Sequence, residues 1–502
     1  MTPVDAHDQA LLDEVRPSEW RNPEPRSRYN LVVLGGGTAG LVSAAVAAGL
    51  GARVALVERD RLGGDCLNTG CVPSKALIRA GRLAVEAQRA AALAIPPGEA
   101  ARPAFRAAME RMRKIRASIA PHDSALRFRD ELGIDVFRGD GRFVASDTLE
   151  VAGARLRFRR AILATGARAA APPIDGLAGA GFLTNETVFS LTANPGRLAV
   201  IGGGPIGCEL AQTFARLGVA VTIFEVGAHL LEREDADAAA IVQRALLRDG
   251  VRLVLGCRIR SVARAAAAKL VHYESPEDGA GVVAVDEVLV AAGRAPNVEA
   301  IGLEAAGVAY HAGRGIEVDD RLRTTNPRIF AVGDCCMAWK FTHAADAAAK
   351  IAVQNALFFG RKKLSSLVMP WCTYTDPELA HVGISERDAA ARGIALDTYT
   401  VALEANDRAV CDGEEDGFVR VHVRRGTDRV VGATVVASHG GEIVSLLTTA
   451  ITARIGLGKL AATIFPYPTQ SEAVKAVANA YLRTRLTPTL KRLLERFLSA
   501  MR

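Results

Sequence analysis

The stretch Tyr29-Asn30-Leu31-Val32-Val33-Leu34-Gly35-Gly36-Gly37-Thr38-Ala39-Gly40 decides how this chain folds. Six mostly apolar residues bounded by glycines read as a short buried strand, and the Ala-rich run to about Leu50 reads as a helix. A second buried strand follows from Arg53 to Val57 and ends at Glu58. The same device returns: a strand at Leu198 to Ile201, then Gly202-Gly203-Gly204-Pro205-Ile206-Gly207, a helix to about Leu217, and a strand from Val219 to Phe224 ending at Glu225. From Gly40 to Glu58 and from Gly207 to Glu225 the separation is eighteen positions each time. Each copy is a strand, a glycine loop, a helix and a strand closed by an acid.

Glycine serves geometry in such a loop. Gly35 and Gly202 make the tight turn, Gly37 and Gly204 let backbone approach a pyrophosphate, and Gly40 and Gly207 let helix pack on strand. The free N–H groups and positive end of the helix then face the phosphates, while Glu58 or Glu225 accepts from a ribose. Two copies imply two dinucleotides. Glu225 favours a 2′-hydroxyl over a 2′-phosphate, so NADH is preferred to NADPH, although Arg233 lies further along.

At 502 residues the chain exceeds one core, and an apolar fraction of 49% supplies several. The net charge of +7 comes from 62 basic and 55 acidic residues scattered without long blocks, the pattern of a solvated surface rather than a nucleic-acid binder. Eight cysteines are too few for a secreted disulfide scaffold. Residues 1–29 carry Asp5, Asp8, Asp13 and Glu14 and lack an apolar core, so a signal peptide is not expected. No run approaches the roughly 20 apolar residues of a membrane span. A cytoplasmic location is the default expectation.

Coarser organisation follows from composition. Residues 1–29, with Pro17, Pro23 and Pro25, read as an irregular arm. Residues 78–130 look helical with a break at Pro96-Pro97-Gly98, and 135–165 alternate like short strands. Pro172 to Gly176 reads as a linker. From about Pro370 the pattern turns to strands and then helices, ending in a basic amphipathic helix from Leu490 to Met501, read as a surface or interface helix.

Between the two loops lies Gly63-Gly64-Asp65-Cys66-Leu67-Asn68-Thr69-Gly70-Cys71-Val72-Pro73-Ser74-Lys75. Two cysteines five apart suit one turn of helix and are close enough in principle for a disulfide. A zinc site would need two further ligands, which no neighbouring Cys or His supplies; no resident metal is expected.

With this motif the chain resembles the class I pyridine nucleotide-disulfide oxidoreductases, over roughly residues 30 to 485. The resemblance also rests on Ala164-Thr165-Gly166, Gly293-Arg294-Ala295-Pro296-Asn297 and Ala331-Val332-Gly333-Asp334, in the family's order. It implies an α/β fold: two Rossmann-like dinucleotide-binding domains, for FAD and NAD(P), plus a C-terminal α+β dimerisation domain. The divisions expected are an arm at 1–29, the FAD domain at 30–172, the NAD(P) domain at 173–297, a return to the FAD domain at 298–365, and an interface domain at 366–502.

By matching motif, the resemblance implies that Cys66 is the interchange thiol and Cys71 the thiol beside the flavin. Lys75 and Glu209 match an ion pair near the flavin's reactive face. Gly64, Thr165, Gly166, Gly293 and Asp334 fall at cofactor contacts, Asp334 on the ribityl chain. NADH or NADPH would reduce FAD, FAD the Cys66–Cys71 disulfide, and the thiols the acceptor. A homodimer is implied, with Tyr467 and Glu472 completing the site of the other subunit.

The sequence departs from the family's disulfide reductases in Phe465-Pro466-Tyr467-Pro468-Thr469-Gln470-Ser471-Glu472, where Tyr467 stands in place of a histidine. A phenol with a pKa near 10 is a poor base at neutral pH, which argues against lipoamide or glutathione turnover. Mercuric reductases also carry Tyr there. Their C-terminal cysteine pair, and the N-terminal CxxC domain of many of them, do not occur in these 502 residues, whose last cysteine is Cys411. A soft metal ion could still reach Cys66 and Cys71 directly. A dihydrolipoamide dehydrogenase-like enzyme, or a flavin-binding redox sensor without turnover, are the alternatives. Cys335-Cys336 reads as small buried hydrophobes and His343 as a helix-end histidine.

Overall fold

The computed structural model describes residues 4–90 and 104–502; the expected break at Pro96-Pro97-Gly98 lies outside them. The chain divides into two compact units, one of residues 1–203, 213–226 and 252–367, the other of 204–212, 227–251 and 368–502.

In the first unit, strand Tyr29–Leu34 pairs in parallel with Val54–Glu58 on one side and with Ala154–Leu163 on the other. Asp135–Arg138 extends the sheet beyond Val54–Glu58, and Ile329–Ala331 extends it beyond Ala154–Leu163. Strand order therefore reverses at Tyr29–Leu34, and a ligand crevice opens at the carboxyl end of a parallel sheet where order reverses. The loop Gly35–Gly40 leaves that end. Ala154–Leu163 is long enough to serve two sheets, its first half closing an antiparallel meander with Thr148–Val151 and Gly141–Ala145.

The second copy repeats the plan. Arg197–Ile201 is flanked in parallel by Ala220–Phe224 and Glu287–Val290, with Arg252–Val254 outside. Its meander is Arg258–Arg264, Lys269–Ser275 and Gly279–Val285. The central strands are buried on both faces, as parallel strands require. The duplicated segments read from the sequence thus extend to duplicated sheet-plus-meander architecture.

In the second unit an antiparallel sheet runs in the order Pro370–Thr373, Glu378–Gly383, Val430–Ala437, Phe418–Arg424 and Leu396–Ala402. Helices Gly440–Thr452 and Glu472–Arg485 cover it through a core that includes Val421, Val435, Leu447 and Val477. Helix Pro488–Ala500 follows, with no buried residue.

The arm is not irregular throughout. Ala6–Val15 is a helix whose cap, Asp5, accepts from the N–H groups of His7 and Asp8. Leu11 and Val15 are fully buried, Arg113 pairs with Asp5 at 2.6 Å, and Arg116 pairs with Asp8 at 2.6 Å. These partners lie 108 residues away, so no local pattern signals them. Among the described residues no helix is long and apolar enough to cross a membrane.

Candidate active site

The first glycine loop is packed to contact. A Cβ on Gly40 would lie 1.7 Å from the Gly35 carbonyl oxygen and 3.4 Å from Val33, so only glycine lets this helix meet its strand. Glu58 holds the loop from the neighbouring strand, its carboxylate accepting from Gly36 N–H at 2.6 Å and Asp60 N–H at 2.7 Å. Burial pushes this carboxyl above its ordinary value, against the pull of both N–H groups.

Across the loop, Gly64 approaches so closely that a Cβ there would lie 2.6 Å from Gly37 Cα. Gly64–Asn68 forms one short helix and Cys71–Ala90 a second, long one. Cys66 and Cys71 do not share a helical turn, as their spacing suggested: the chain breaks at Thr69-Gly70, where Gly70 passes against the Asp65 carbonyl too closely for a side chain. The break makes Cys71 the first residue of its helix.

The two thiols are not equivalent. Cys71 is exposed, and its Sγ lies 3.3 Å from Oγ1 of Thr342, the first residue of helix Thr342–Leu357. Two helix N-termini thus meet at this sulfur, and both favour negative charge on it. Cys66 is half-buried, and its hydrogen bond with Cys71 together with burial raises its pKa well above the usual thiol range. Cys71 is therefore the thiol whose position at two helix N-termini suits negative charge, and Cys66 the one whose pKa is pushed up.

Arg294 ties this motif to the sheet. Its guanidinium pairs with Asp65, lies 3.3 Å from Asp334, and donates to the Ala167 carbonyl at 2.8 Å. Burial pulls the guanidinium down, and the two carboxylates more than offset it. Burial also raises Asp334, which Arg294 opposes. The segments that bracket the second copy are stapled: Ala167–Ala169 pairs antiparallel with Arg294–Pro296, Thr165 donates to the Asn297 carbonyl at 2.7 Å, and Asn297 donates back to the Thr165 carbonyl at 2.9 Å. Gly166 takes a left-handed turn between them.

In the second copy Gly203 N–H donates to Glu225 at 2.5 Å, repeating the Gly36–Glu58 contact. Helix Pro205–Arg216 carries Glu209, which is buried rather than solvated and accepts the Tyr374 N–H at 2.9 Å. Lys75 is half-buried on the Cys71 helix. Tyr467 is 71% exposed and donates to Asp407 at 3.0 Å, which raises its pKa further. Glu472 opens the helix Glu472–Arg485.

Sequence reading passed over Thr342, Arg294's link from Asp65 to Asp334, and Asp407. Asp65 and Arg294 both lay inside quoted motifs; Thr342 and Asp407 had no local signal. Cys335 sits in the hydrophobic core and Cys336 packs against it, and His343 stacks on Phe341 at the helix start.

The residues present fit FAD: a glycine cradle that a Cβ would fill, a carboxylate at the second strand's end, and the half-buried Asp334, tied through Arg294 to Asp65 of the cysteine motif.

Comparison with known proteins agrees. A family model described as pyridine nucleotide-disulphide oxidoreductase matches residues 29–349, and one for the dimerisation domain of these enzymes matches 369–478. A mercuric reductase from Bacillus cereus is 32% identical over 94% of this chain and 74% of its own. A dihydrolipoyl dehydrogenase from Staphylococcus aureus is 33% identical over 89% of this chain and 95% of its own. Among solved structures, the HOCl-induced flavoprotein disulfide reductase RclA from Escherichia coli superposes with a TM-score of 0.80 at 28% identity, over 90% of this chain and 99% of its own. Its Cu(II) complex matches at 0.79. With both family models matched in order and relatives above 30% identity over most of its length, this chain belongs to the class I pyridine nucleotide-disulfide oxidoreductases, on their mercuric reductase-like side.

Proposed function

We propose that this flavoprotein uses electrons from a nicotinamide dinucleotide, NADH in preference to NADPH, to reduce a thiophilic metal ion, Hg(II) or a related soft cation, at Cys66 and Cys71. The observation that supports the reading is the inequivalence of the two thiols, with Cys71 exposed at two helix N-termini and Cys66 half-buried beside it.

Gly35, Gly37, Gly40, Glu58 and Asp334 would hold FAD, with Gly64, Thr165, Gly166 and Gly293 around it. When bound, FAD supplies hydride acceptance from the nicotinamide and two-electron transfer to the cysteine pair. Gly202, Gly204 and Gly207 would admit the pyrophosphate of the second dinucleotide. Glu225 would accept from its ribose and repel a 2′-phosphate. Lys75 and Glu209 are assigned to the face where hydride passes. Once reduced, Cys66 meets the acceptor; loss of its proton to solvent or buffer lets both sulfurs ligate a soft cation, which binds thiolate in preference to oxygen donors.

The active unit is a homodimer, in which Tyr467 and Glu472 of the partner subunit close the site. Tyr467, already donating to Asp407, is a poor acceptor for a substrate thiol's proton. That supports a metal over a disulfide substrate, as does the Cu(II) complex formed by RclA. The five-segment domain division stands as part of this proposal.

The test is steady-state turnover with NADH, offering Hg(II) with excess thiol or oxidised lipoamide. Hg(II)-dependent NADH oxidation is expected, with lipoamide at least about tenfold poorer in kcat/KM. The likeness to dihydrolipoyl dehydrogenase supplies the second reading; equal or faster lipoamide turnover would select it.

A further inference from the structure

At the amino ends of the first parallel sheet, the register gathers arginines. Tyr29 pairs with Phe158, Leu31 with Arg160, and Ile329 with Ala161. Arg28 and Arg328 immediately precede the two flanking strands, and Arg159 and Arg160 lie where the parallel half of Ala154–Leu163 begins; with Pro327 they line a recess of about 530 Å³. No acid lines it. Among the described residues none of the four pairs with a carboxylate, whereas many other arginines of this chain do.

Their fixed contacts are to backbone. Arg28 donates to the Phe158 carbonyl at 3.4 Å, and Arg160 donates to the carbonyls of Ala356 at 3.1 Å and Arg159 at 3.2 Å. Burial, then the neighbouring Arg159 and Arg328, holds the Arg160 guanidinium below its ordinary value. Guanidinium groups gathered around one recess repel one another unless an anion sits among them, and guanidinium matches phosphate oxygens in paired hydrogen bonds. The recess lies toward the amino end of strand Tyr29–Leu34, away from the glycine loop: Arg160 stands level with Leu31 and Arg28 precedes Tyr29, about 13 and 23 Å along the strand from Gly35 at 3.3 Å per residue. It is therefore separate from the dinucleotide crevice.

We propose that this recess binds an oligophosphate chain of three or more phosphoryl groups. A single phosphate engages one or two guanidinium groups, whereas a chain spans the four. The shared chemistry has two sources, inorganic oligophosphate and the triphosphate tail of a nucleotide.

The experiment is calorimetric titration of the FAD-loaded protein at constant ionic strength with sodium tripolyphosphate, ATP, orthophosphate and sulfate, each with and without saturating NAD⁺. One tripolyphosphate per protomer is expected, undisplaced by NAD⁺ and at least about tenfold tighter than orthophosphate or sulfate. ATP that binds in competition with tripolyphosphate assigns the nucleotide source, and ATP that fails to compete assigns the inorganic chain. Arg159→Glu and Arg328→Glu, both at exposed positions, are each expected to weaken binding at least about tenfold while FAD content and NADH oxidation stay unchanged. Arg159→Gln provides a milder second variant should charge reversal impair folding. The proposal is overturned by absent saturable binding, by displacement with NAD⁺, by equal affinity for sulfate, or by folded variants that bind as the parent does.

Discussion

The two glycine loops share one design, and within it the glycines at different positions answer to different neighbours. In the first, Gly40 is required by the protein itself, since a Cβ would strike the Gly35 carbonyl. In the second, Gly202 is likewise crowded, its Cβ 2.8 Å from the Ala291 carbonyl oxygen, whereas a Cβ on Gly204, the counterpart of Gly37, would meet no atom within 4 Å. The fold leaves the space at Gly204 open, as the proposed approach of a dinucleotide to backbone there requires. Gly37 is intermediate, its Cβ reaching only Gly64 Cα at 3.6 Å. The lesson is that a fingerprint mixes residues kept for folding with residues kept for binding, and packing separates them. In both copies the terminal acid, Glu58 or Glu225, also accepts an N–H of its own loop, so it fixes the turn before any ribose arrives.

That contrast can be broken by paired substitutions. Gly40→Ala is expected to have the largest effect, costing about 3 kcal/mol or more from overpacking against backbone and abolishing retention of FAD. Thermal melting and the flavin absorbance of the purified protein check it; an unchanged melting point with full FAD would show the first loop to be looser than its contacts imply. Gly204→Ala is expected to leave the melting point within about 2 °C and FAD fully bound, while raising KM for NADH about tenfold or more with smaller effect on kcat. Steady-state kinetics check it. Unaltered KM would mean that the dinucleotide does not approach Gly204, and the ligand-space argument would fail there.

Much of this was legible in the sequence because the signals were local. The strand, loop, helix and acid of each copy fall within about thirty residues, and the observed strands Tyr29–Leu34 and Ala220–Phe224 lie within a residue of where apolar runs put them. What was illegible depends on distant partners. The helix Ala6–Val15 is held by Arg113 and Arg116, and three prolines after it gave the arm an irregular look. The break between Cys66 and Cys71 could have been suspected from Gly70, but the spacing alone suited a single turn. Thr342 reaches Cys71 across 271 positions and Asp407 reaches Tyr467 across 60, separations over which periodicity carries no information. Glu209 illustrates the converse: its motif drew attention, while its burial and the Tyr374 N–H that satisfies it came from the fold.

The central claim is that electrons pass from the nicotinamide through the flavin to an unequal thiol pair in which Cys71 carries the charge. Anaerobic titration of the FAD-loaded protein with NADH, followed across the visible spectrum, tests it most directly. After one equivalent of NADH, a long-wavelength absorption band is expected with the flavin still largely oxidised, present in Cys66→Ser without any NADH and absent from Cys71→Ser. Bleaching of the flavin with no such band, or a band that survives in Cys71→Ser, would contradict the account.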